Sequence, residues 1–81
     1  MADSKEQEVV ELIANALEID AKSLTLESTS NDVEEWDSLG HLGILADLDK
    51  FYDGKISGIR EMAQVDSIGK MLQLLKDNSL L

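Results

Sequence analysis

The sequence predicts a small all-α domain: three longer helices, one short helix and a long first loop, packed as a four-helix bundle in a single unit spanning residues 1–81. Three observations carry this. Apolar residues recur at helical offsets in three separate stretches, a polar and irregular segment of almost twenty residues divides the first stretch from the second, and Asp53-Gly54 reads as a helix stop after the second. One core is all that 81 residues supply. With no cysteine, neither disulfides nor thiolate metal sites stabilise it, so helix packing must.

The first helix opens near Ser4, where Ser4 with Gln7 or Asp3 with Glu6 has the three-residue spacing of a capping box. Val9, Leu12, Ile13, Ala16 and Leu17 then fall on one stripe, while Glu8, Glu11, Asn15 and Glu18 face away, and the helix should end near Leu17 or Glu18. From Ile19 to Asp37 the period breaks into loop chemistry, with Leu24, Leu26 and Val33 spaced through it as anchors. A loop of this length in so small a domain must be pinned to the core or have a task of its own. Trp36, the only tryptophan, is read as a packing lid between the loop and the second helix, the alternative being direct contact with whatever binds there.

The second helix runs from about Ser38 to Tyr52. Asp37 and Ser38 are both suited to capping it, and the spacing does not choose between them. At 100° per residue Leu39, Leu42 and Ala46 take one side and Ile44, Leu45, Leu48, Phe51 and Tyr52 another, with Gly40, Gly43, Asp47 and Lys50 between. So apolar a helix is either central to the core or touches something beyond it. Asp53-Gly54 stops it, Ile56 is an anchor, and Ile59, Met62 and Ala63 suit one or two short helical turns. Asp66 or Ser67 caps the last helix, whose core face is Ile68, Met71, Leu72 and Leu75; the tail 77–81 is expected to fray.

Seventeen acidic against seven basic residues give a net charge of -10, which disfavours nucleic acid or an anionic membrane as a partner and suits a basic protein surface, or serves solubility alone. No apolar run approaches the roughly 20 residues of a membrane span. The N-terminus lacks the pattern of a signal peptide, so a cytoplasmic location is expected. Asp49, Asp53 and Gly54 suggest a calcium loop, but that register places Phe51 and Arg60 where oxygen ligands are required. Ser38 and His41, three apart on one helix, suggest a nucleophile with its base. No oxyanion cradle accompanies them, and the chain is too short to enclose a substrate.

Asp37-Ser38-Leu39 at the head of a central apolar helix, after a long loop and near the middle of a small acidic chain, resembles the attachment site of the acyl carrier protein family. The resemblance extends from about Glu6 to Leu75 in element order, spacing and apolar pattern. It implies that Ser38 carries a 4'-phosphopantetheine arm, that Asp37 and Leu39 complete the motif, and that helix 2, with Leu42, Asp47 and Asp49, is the partner surface. It implies a monomer without catalytic residues, served by a phosphopantetheinyl transferase and by acyl-activating and acyl-transferring enzymes of a lipid or specialised biosynthetic pathway. This chain departs from housekeeping fatty acid carriers at Gly40, Gly43 and Lys50, where those usually have acidic residues. The departures point to a specialised carrier, and the glycines equally suit an aminoacyl or peptidyl carrier. A reading from another class is an unmodified helical interaction module in which Ser38 is only part of a helix start.

Overall fold

Three α-helices form the frame: α1 (Ser4–Leu17), α2 (Ser38–Phe51) and α3 (Ile68–Asp77). The structure is a computed structural model and describes residues 4–81. The proposed caps at Asp3 and at the Ser4 side chain lie outside what is described. Where one or two short helical turns are predicted around Ile59, Met62 and Ala63, the chain makes a 3-10 turn, Arg60–Ala63, and another, Ile56–Gly58, precedes it. The radius of gyration is 11.4 Å, close to the roughly 12 Å of a compact chain of this length.

One core holds the helices together, and its largest fully buried side chains are Ile13, Ile44, Leu48, Met62, Ile68, Met71 and Leu75. The face of α1 turned inward is Val9, Val10, Ile13, Ala14 and Leu17, whereas Leu12 and Ala16 are only half-buried. The predicted stripe was therefore about one position off centre. Leu12 borders the seam between α1 and α2, and the Ala16 carbonyl oxygen approaches Gly43 across it.

The long loop is sewn to the start of α3. Ser30 N–H donates to the Asp66 carbonyl at 2.8 Å, Ile68 N–H to Ser28 at 3.0 Å and Gly69 N–H to Leu26 at 3.0 Å. Those bonds answer the polar demands that a loop beside a core must satisfy. Leu24 and Val33 anchor the loop as expected, but Leu26 does not: it is 58 % exposed and holds the loop by its backbone oxygen. Buried Ser28 accepts the Thr25 N–H at 2.9 Å, which closes the turn that points Leu26 outward.

All three helices end in the same way. Glu18, Asp53 and Ser79 have positive φ (58°, 54° and 61°), and the next residue donates back to the carbonyl five residues earlier: Ile19 to Ala14, Gly54 to Asp49, Leu80 to Leu75. This last bond, with Leu80 and Leu81 half-buried against the core, ties down the tail that was expected to fray.

Candidate functional site

The start of α2 has one cap. Asp37 is extended (φ -100°, ψ -167°) and its Oδ1 accepts the Gly40 N–H at 2.8 Å, so Ser38 is the first helical residue. Its side chain is exposed. The first amides of the helix have no carbonyl partner within it, so backbone donors and the positive end of the macrodipole lie at Ser38. Around this end the chain carries Asp32, Glu34, Glu35 and Asp37, all exposed.

Only half of the apolar circumference of α2 is used by the core. Ile44 and Leu48 are fully buried, while Leu39 is 79 % exposed, Leu42 62 % and Phe51 50 %, and Ala46 is exposed with them. Ser38, Leu42, Leu45 and Asp49 follow at offsets 0, 4, 7 and 11, which places them along one side of the helix, with Leu39 and Ala46 beside it. Phe51, on the same side as Ile44 and Leu48 by helical spacing, is not buried with them but stands over the α1–α2 seam.

A cleft of about 560 Å³ opens beside Ser38, walled by Trp36, Leu42 and Leu45 on one side and by Ala63 and Val65 on the other. It continues past Leu45 and Ala63 into a second hollow of about 340 Å³ that reaches Asp49, Ile56 and Arg60. Together they form a trough along α2 that passes Ser38, with Ser30, Asp37, Ser38, His41 and Gln64 in the lining of its head and a mostly apolar lining beyond Leu45.

His41 crosses the head of this trough. Its Nδ1 accepts the Trp36 Nε1–H at 3.0 Å and its Nε2 donates to the Met62 carbonyl oxygen at 2.8 Å. The imidazole and indole planes are within 13° of each other with centroids 6.2 Å apart, the arrangement of an in-plane N–H···N bond. Both ring nitrogens are thereby engaged, so His41 does not serve Ser38 as a base, and the nucleophile–base reading has no support. Trp36, only 4 % exposed, is the lid expected between loop and helix.

The sequence-predicted site residues separate into two groups. Asp37, Ser38, Leu39, Leu42 and Asp49 share the exposed side or start of α2. Asp47 does not join them: it borders the seam with α1, beside Glu8, Glu11 and Lys50. Asp49 is itself partly engaged, accepting the Ser57 N–H at 3.1 Å.

Packing explains one of the two glycines of α2. A Cβ on Gly40 would overlap the Glu35 carbonyl oxygen and lie 2.9 Å from Leu17 Cδ2, so the absence of an acidic side chain there follows from packing. Gly43 is looser, its nearest neighbour being the Ala16 oxygen at 3.6 Å.

The Trp36–His41–Met62 link escaped the sequence reading. A lone tryptophan and a lone histidine flanking a helix start were a weak signal for it, and the Met62 carbonyl, 21 residues away, gave none. No protein-family model, no curated protein and no solved structure matches this chain. Among the described residues no helix is long and apolar enough to cross a membrane.

Proposed function

We propose that this chain is a carrier protein: a 4'-phosphopantetheine arm on Ser38 holds acyl intermediates and presents them to partner enzymes of a lipid or specialised biosynthetic pathway. The observation that carries the reading is exposed Ser38 at the capped N-terminus of α2, at the head of a trough that runs along the helix. A phosphate on Ser38 would meet free backbone donors and the positive end of the macrodipole. Leu42, Leu45, Ala63 and Val65 offer hydrocarbon beside it. When bound, the group supplies a thiol on a flexible arm, on which acyl groups ride as thioesters.

In this reading the chain's own residues do no bond-making chemistry beyond offering the Ser38 oxygen, and the enzyme activities belong to the partners. Those are a phosphopantetheinyl transferase and acyl-activating and acyl-transferring enzymes, met by a cytoplasmic monomer. The four-helix arrangement of carriers belongs to the same proposal, with the turn Arg60–Ala63 in place of the short helix. Exposed Leu39 and Leu42, with exposed Glu34, Glu35 and Asp37 just before them in the chain, favour docking to an apolar patch accompanied by basic residues. Because packing accounts for Gly40, that residue no longer speaks for an aminoacyl or peptidyl cargo.

Intact mass after incubation with coenzyme A and a broad-specificity phosphopantetheinyl transferase tests the reading, with Ser38→Ala as control. One phosphopantetheine increment, absent from the variant, supports it. A folded wild-type chain that takes no increment turns the assignment to an unmodified interaction module, which the exposed Leu39–Leu42 side would also suit.

A further inference from the structure

The geometry points to His41 as a latch whose grip depends on its protonation: in the neutral Nε2–H form the ring ties the loop before α2 to the 3-10 turn across the trough, and a proton added at Nδ1 releases Trp36. The two partners set the tautomer independently. An indole nitrogen only donates, so Nδ1 must be the acceptor; a carbonyl oxygen only accepts, so Nε2 must carry the hydrogen. No other state of the ring keeps both bonds. The imidazolium retains the Met62 bond but sets Nδ1–H against the Trp36 Nε1–H, two donors face to face.

What the latch holds follows from the chain around it. Trp36 adjoins Asp37, the cap of α2, which adjoins Ser38. Met62 is fully buried on the turn that also carries Ala63, a wall residue of the cleft. Releasing Trp36 therefore removes one of the bonds that hold the segment before Ser38 and loosens one side of the trough head. The charged groups on the surrounding segments are Glu34, Glu35 and Asp37 next to Trp36, Arg60 and Glu61 on the turn of Met62, and Asp66 with Lys70 at the start of α3. All are exposed, and Asp66 and Lys70 pair with each other at 3.4 Å. The ring's two nitrogens are bonded to neutral groups alone.

The latch goes beyond the carrier reading and needs no modification at Ser38, so it is tested on the unmodified chain. Two-bond proton–nitrogen correlations of the single histidine report the tautomer, and hydrogen exchange at the single indole N–H reports the latch. At neutral pH the expected pattern is a protonated Nε2 and a bare Nδ1. Indole exchange should be roughly fivefold slower, or more, than in His41→Phe, the factor one neutral hydrogen bond supplies. On acidification the indole should lose this protection in step with ring protonation while far-UV circular dichroism stays constant. An Nδ1–H tautomer would overturn the latch. So would protection that outlasts ring protonation, or that disappears only when the helices melt. Should His41→Phe not fold, the wild-type titration decides alone, because both nuclei are read in one sample.

Discussion

Gly40→Ala and Gly43→Ala are the same chemical change, three residues apart on one helix, and should move stability in opposite directions. Alanine in a helix interior is intrinsically better than glycine by about 1 kcal/mol. At Gly43 nothing opposes that gain, since the new methyl meets only the Ala16 oxygen at an ordinary 3.6 Å. At Gly40 the methyl strikes the Glu35 carbonyl, and this is backbone held from both sides: Val33 and Trp36 are buried, and Trp36 N–H donates to Val33 at 2.9 Å. Leu17 Cδ2 can swing aside; the carbonyl cannot. Overpacking a held site costs roughly 1–3 kcal/mol, and so direct an overlap belongs at the upper end, leaving a net loss of about 2 kcal/mol after the propensity gain. For a chain of this size that is a fall of roughly 8–16 °C in Tm, against a rise of about 4–8 °C for Gly43→Ala. Thermal and urea melts followed by circular dichroism at 222 nm read both. A Gly40→Ala protein as stable as wild type would show that the loop does not press on α2, and would return Gly40 to the partner surface.

Three further outcomes follow from the same structure. Glu18→Gly relieves a side chain held at φ 58° and should stabilise by about 0.5–1 kcal/mol, the left-handed penalty less glycine's greater freedom when unfolded; a lower urea midpoint would contradict it. Leu39→Ser with Leu42→Ser should leave stability within about 1 kcal/mol, whereas Leu48→Ala, from the buried side of the same helix, should cost about 2–5 kcal/mol; equal losses would mean that both sides are core. Tyr52 has its phenol pushed above the usual tyrosine value of 10.0 by burial and by the Glu8 carboxylate. The folded chain thus holds this proton more tightly than the unfolded one. Its contribution is complete below pH 10 and fades as pH rises through the folded value, so urea midpoints of wild type should decline more steeply in alkali than those of Tyr52→Phe.

Local rules were enough for much of this architecture. The spacing of Ile68, Met71, Leu72 and Leu75 names the face of α3 that is buried, and loop chemistry from Thr25 to Asp32 marks where no helix runs. Ser38 stood out because a small polar residue at a helix start is visible in a string of letters. Periodicity says which residues share a side of a helix. It does not say whether that side meets the core, and so Leu39 and Leu42 could not be told from Ile44 and Leu48 until the neighbours were in place.

The rest needed the tertiary structure because it depends on pairs far apart in the chain. Gly40 answers to the Glu35 oxygen and Gly69 to that of Leu26, and the long loop is held by backbone bonds that no side-chain pattern announces. His41 offered two nitrogens with no stated partner until the fold set an indole against one and a carbonyl against the other. Helix positions and the exposed serine are written locally, in propensity and period. Which apolar side is covered, and what the one histidine holds, were decided only when distant backbone groups met.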